Sequence, residues 1–300
     1  MRIKAFAFAT MLAFMPTANA CVNAVGTDHT GQKFEAGWYV GKDMTDPMFQ
    51  QNQRNYWSSV ATRTIQEARA RPDFEHLTNL GVLLIYQGQY DLAIRHFLFV
   101  ERRFPGHHET AANLGTALEL AGHDTVALRW IRIGMRRNQH EHYGSEWLHA
   151  RILQAKAALA KNPDYLDGRS VGGVTFEPTL VPPLPTATPA GNDGKPVKLW
   201  ELNQALAYQL YERTQFVRPK DPVVANLLLD WATLNLVGGP IENADALYDA
   251  AVAYGATRDT LTRSRQSYIK RTLAQADGAK TEASEDICAI CQPLPPPPSE

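Results

Sequence analysis

Residues 74–107 read FEHLTNLGVLLIYQGQYDLAIRHFLFVERRFPGH, and residues 108–141 read HETAANLGTALELAGHDTVALRWIRIGMRRNQHE. The second stretch repeats the first at an offset of 34 residues. Leu80-Gly81 recurs as Leu114-Gly115, Leu84 as Leu118, Gly88 as Gly122, Ala93 as Ala127 and Phe97 as Ile131. A fixed period of this size marks a repeat architecture, in which each unit buries its apolar face against its neighbours.

Within the first stretch, Leu77, Leu80, Gly81, Leu84 and Ile85 fall at helical spacing and predict a helix over Phe74–Gln87. Gly88 makes the turn. Ala93, Ile94, Phe97, Leu98 and Val100 predict a second helix over Tyr90–Arg103, ended by Pro105-Gly106. Glycine inside a helix costs about 1 kcal/mol relative to alanine. At Gly81 and Gly115 the missing side chain is expected to repay that cost by close helix packing.

The pattern resembles the tetratricopeptide repeat on eight positions of the first unit: Leu80, Gly81, Leu84, Gly88, Ala93, Phe97, Val100 and Pro105. The second unit departs from it at Gln139, where proline is usual, and at Gly134, where alanine is usual. The resemblance implies an all-α, helical-hairpin solenoid whose first helices line a concave groove for a helix or extended peptide. Carried over by position, that groove is Glu75, Thr78, Val82, Ile85 and Tyr86 in unit one, and Glu109, Ala112, Thr116, Glu119 and Leu120 in unit two. The basic pair that grips a peptide carboxylate in some members is absent, because Thr78 and Val82 stand there.

Upstream, Tyr56, Val60, Ile65 and Ala68 predict an apolar stripe on a helix over 56–70. Downstream, Ser145–Leu159 is a third helix in register, either an incomplete unit (142–160) or a cap for the repeat region 56–160. Residues 161–198 are rich in Gly and Pro and read as an extended connector; 171–181 either form a short strand or lie against the solenoid. Helices resume over 199–275. Within them 225–258 resemble a degenerate third repeat, with Trp231-Ala232 at the large-small places, and Arg258–Gln275 is a basic final helix. Residues 21–55 are expected to be extended and 276–300 disordered.

Residues 1–20 have the composition of an export signal: Arg2 and Lys4, an apolar run over 5–15, and Ala18-Asn19-Ala20. Cys21 follows the cut and is a candidate for lipidation; ordinary cleavage is the alternative. The expected location is periplasmic or secreted. The formal net charge of -1 argues against a dedicated nucleic-acid binder. Three cysteines are too few for a disulfide framework. Cys288-x-x-Cys291 is a candidate local disulfide, with Cys21 as the other available partner.

Three patterns bear on chemistry. Gly168-Arg169-Ser170-Val171-Gly172 has the letters of a nucleophile elbow without the strand and helix around it, and reads as a flexible turn. His140, His142, Glu146 and His149 have some metal-ligand character, since Glu146 and His149 share a helix face. No phosphate loop or base–nucleophile pair stands out. The expected function is a non-enzymatic, cofactor-free scaffold in the cell envelope that binds protein partners. The alternatives are a metal-handling protein and an accessory subunit of an exported enzyme complex.

Overall fold

A computed structural model describes residues 24–36, 39–50, 52–276, 278–284 and 287–293. The export segment and Cys21 lie outside them. The described chain is mostly helical, with one small sheet.

The repeated stretch forms two helical hairpins. Helix α3 (Phe74–Tyr86) starts on Asp73, whose carboxylate accepts the His76 backbone N–H. The chain turns at Gly88, at φ +74°, into α4 (Tyr90–Arg103). Helix α5 (His108–Leu120) turns at Gly122, at φ +83°, into α6 (Asp124–Arg137). Each hairpin closes on the same contact. A Cβ on Gly81 would overlap the Phe97 ring, and one on Gly115 would lie 2.8 Å from Ile131 Cγ1. Phe97 and Ile131 are both fully buried.

Ahead of them stand α1 (Lys42–Phe49) and α2 (Asn52–Ala70), with α2 packed along α3. The expected stripe on α2 is rotated. Ala68 is buried, but so is Thr64, and Trp57 stacks on Tyr86 while Tyr56 is 53% exposed. After α6 comes α7 (Glu141–Gly144), a short turn in which His142 and Tyr143 have φ of 50° and 57°, and then α8 (Glu146–Leu159).

Helix α8 is apolar on two faces. Ala150 and Leu153 close the core of the two hairpins, with Phe97, Leu114 and Ile131. Trp147, Leu148, Ile152 and Ala155 open a second core that the rest of the chain completes. That core is built by α9 (Leu199–Thr214), α10 (Pro222–Gly238), α11 (Ile241–Ala253) and α12 (Thr260–Gln275). Asp221 caps α10 and Asp259 caps α12, each accepting a backbone N–H. On α12, Arg265 is buried and bonds the Glu177 and Thr179 carbonyls.

Two expectations about the ends are corrected. Segment 21–55 is not simply extended: β1 (Val25–Thr27) and β2 (Lys33–Glu35) pair antiparallel, α1 follows, and α2 begins at Asn52. Phe34 and Met48 anchor this part because both are fully buried in the second core. Nor is the described part of 276–300 disordered. β3 (Thr281–Glu282) adds to β2 in parallel, Cys288 and Cys291 are disulfide-bonded, and Ile290 is buried against Gly238 and Gly239. The connector 161–198 forms no helix and no strand beyond an isolated bridge between Ala190 and Pro196. Its 171–181 part lies on the helices, with Val171 and Val174 buried and Arg151 Nε donating to the Val171 carbonyl at 2.7 Å.

Candidate functional site

Six of the ten expected groove residues meet around one cavity of about 130 Å³: Val82, Ile85 and Tyr86 on α3, and Thr116, Glu119 and Leu120 on α5. The other four do not line it. Glu75 is exposed and Thr78 half-buried. Glu109 sits beside His107 and His108, and Ala112 is buried under the hairpin. The short turn α7 adds His142 and helix α8 adds Glu146 and His149 to the cavity, while His140 lies outside it on the exposed approach to α7.

The fourth wall was not foreseen. The C-terminal half of α9 presents Tyr208, Glu212 and Arg213 to the cavity, and Phe216 follows just after the helix. Phe216 packs on Tyr86 with ring centroids 4.8 Å apart. The sequence did carry a trace of this partner: the groove of unit two is acidic at Glu119, and Arg213 is the cation it calls for.

Glu119 is the hub. It is 4% exposed and takes hydrogen bonds from both Arg213 terminal nitrogens, from His149 Nε2 at 2.7 Å and from Lys156 Nζ at 2.9 Å. Burial works against its charge, but the Arg213 guanidinium and the His149 ring hold its carboxyl well below the ordinary range. Burial also opposes charge on His149. The carboxylates of Glu119 and Glu146 outweigh it and raise the ring to about 9. Glu146 is lowered to about 2 against its own burial by the hydrogen bond with His142 and the nearby charge of His149. His142 is raised in turn, mainly by Glu146, and its ring stacks on Tyr208 with centroids 5.1 Å apart.

Two carboxylate features face the cavity without full compensation. Glu146 Oε2 is 3.5 Å from His149 Nδ1 but has no well-formed hydrogen bond. Glu212 is raised by burial, opposed only by the charge of His142. Tyr86 and Tyr208 are raised by their own burial and then by Glu212. A cavity with a spare acceptor, an under-compensated carboxylate and aromatic walls suits a group that donates hydrogen bonds and carries positive charge.

The metal-ligand pattern does not assemble. Both His149 ring nitrogens point at carboxylates, and Arg213 and Lys156 occupy Glu119, so cations already fill the places a metal would take. Among the described residues no group of three or more His, Cys, Asp or Glu is arranged to hold a metal ion.

Ser170, the centre of the elbow-like letters, is pinned rather than flexible. Its Oγ donates to Asp230 Oδ2 at 2.7 Å and accepts the Gly173 and Val174 backbone N–H groups. Burial raises Asp230 to about 7 against the hydrogen bonds from Ser170 and Gly172.

No family model, curated protein or solved structure matches this chain.

Proposed function

We propose that the protein is a non-enzymatic binding scaffold of tetratricopeptide-like helical repeats. It acts after export to the cell envelope and takes a protein partner at the concave face of α3, α5 and α8. The observation that carries the reading is α9 itself. The groove that the resemblance implies is met by the C-terminal half of α9, which supports a helix-in-groove mode of recognition. The repeated closure of Gly81 on Phe97 and Gly115 on Ile131 supports the repeat assignment.

The partner reaches the cavity that α9 leaves beside the ionic hub. Its anchor is a basic side chain, drawn by Glu212 and Glu146 and flanked by Tyr86 and Tyr208. The test is cross-linking of the tagged protein in its native envelope, comparing wild type with Glu212→Lys, which supplies the cation in cis. Arg132→Glu, on the exposed side of α6, is the control. The partner should be captured by wild type and by Arg132→Glu and lost with Glu212→Lys, with thermal unfolding unchanged in all three. Undiminished capture by Glu212→Lys would overturn the assignment of the site.

A further inference from the structure

Tyr208 also lines a second concavity, of about 390 Å³, walled by Tyr39, Tyr143, Tyr211, Met44 and Gln204. Tyr39 and Tyr143 are each 71% exposed, so large aromatic faces stand open to solvent. Left-handed backbone at Tyr143 sets its ring edge-on to Tyr208, with centroids 5.6 Å apart. Open tyrosine faces beside a side-chain amide are the surface that reads a polyproline II helix. Proline rings lie on the aromatic planes, and carbonyls with no internal partner accept from the amide.

A proline-rich segment starts next to this surface. The C-terminal stretch is anchored at Ile290, whose N–H donates to the Gly238 carbonyl and whose carbonyl accepts from Asn203 Nδ2, each at 3.2 Å. The Asn203 side-chain oxygen accepts in turn from Trp231 Nε1 at 2.7 Å. Asn203 and Trp231 both belong to the wall of the concavity. Beyond Gln292 the sequence is Pro293-Leu294-Pro295-Pro296-Pro297-Pro298. From Pro293 to Pro298 a polyproline II helix reaches about 15 Å.

We propose that residues 293–298 dock in cis, as a polyproline II helix, against Tyr39, Tyr143 and Tyr211. A short tether holds the segment at an effective concentration on the order of 1 mM. An intrinsic Kd of about 0.1 mM therefore keeps the concavity mostly self-occupied. Because Tyr208 is shared, the docked tail stands against the wall of the ionic cavity.

The test uses a fluorescein-labelled peptide of residues 293–300 and a chain truncated after Gln292, which keeps the Cys288–Cys291 bond. Anisotropy should show binding to the truncated chain, about tenfold weaker apparent binding to the full-length chain, and loss of binding in truncated Tyr39→Ala. Equal affinity for the two chains would overturn the proposal and make the concavity a site for a partner's proline-rich segment. So would no binding to the truncated chain, or binding indifferent to Tyr39→Ala. A photo-cross-linking residue at position 294 of the full-length monomer gives an independent readout. Adducts within α1 or α9 support docking in cis; adducts only between molecules overturn it.

Discussion

Glu119 is one carboxylate serving three cations, and its replacement tests the hub most directly. Glu119→Gln takes from buried Arg213 the carboxylate it pairs with, and leaves His149 with Glu146 and Lys156 with Asp124. Breaking such a network from one side costs about 3–5 kcal/mol, to be read from urea denaturation at pH 7. The pH dependence follows from the neighbours. His149 is raised from 6.5 to about 9, so the stability its charge supplies is complete below pH 6.5 and is lost as pH rises through 9. Glu146 is lowered from 4.5 to about 2, so its contribution is complete above pH 4.5 and is lost as pH falls toward 2. Denaturation midpoints of wild type should therefore fall between pH 6.5 and 9.5, and the gap to His149→Phe should narrow over the same interval. Asp230, raised from 3.8 to about 7, contributes stability that is complete below pH 3.8 and lost as pH rises through 7. Asp230→Asn keeps an acceptor for Ser170 and Gly172, so it should be more stable than wild type at pH 8 and lose that advantage at pH 5.

The hairpins give the prediction that belongs to elements. Gly81 and Gly134 are both helix-interior glycines of the repeat, but their surroundings differ. A Cβ at Gly81 collides with the Phe97 ring, whereas one at Gly134 meets its nearest neighbours at 3.6–3.7 Å, an ordinary packing distance. Gly81→Ala should destabilise the protein by about 1–3 kcal/mol through overpacking. Gly134→Ala should stabilise it by up to about 1 kcal/mol through helix propensity. Opposite shifts of the thermal midpoint would bear this out; equal shifts would contradict the packing account. Helix ends were legible for the same local reasons. Gly88 and Gly122 supply the positive φ their turns need, and Asp221 and Asp259 cap the helices that follow them. The face of α2 was less legible, because Thr64 takes a buried place that an apolar-stripe reading does not give to a threonine.

At the scale of the whole molecule, α8 is the shared wall between two cores, and α9 returns across a connector of nearly forty residues to close the groove. A chain cut to residues 24–160 loses both coverings. Trp147, Leu148 and Ile152 would face water, as would Tyr86 and Val82. Such a fragment should bind a hydrophobic dye and unfold with little cooperativity, while the full chain unfolds cooperatively in urea. A fragment as stable and as cooperative as the full chain would show that the groove does not depend on α9.

The sequence by itself determined the helical class, the 34-residue period, the hairpin turns and the close-packing glycines. All of these rest on interactions between residues near each other in the chain, where spacing, caps and glycine φ act directly. The resemblance to the tetratricopeptide repeat also named six of the residues that line the cavity. Only the tertiary structure decided that the end of α9 walls the groove, that Glu119 pairs with Arg213 across 94 positions, and that Ile290 is a core residue. Neither an apolar helix nor a buried charge carries the address of its distant partner in its own spacing. The sequence shows that a face must be covered and a charge balanced; the packed chain selects what does so.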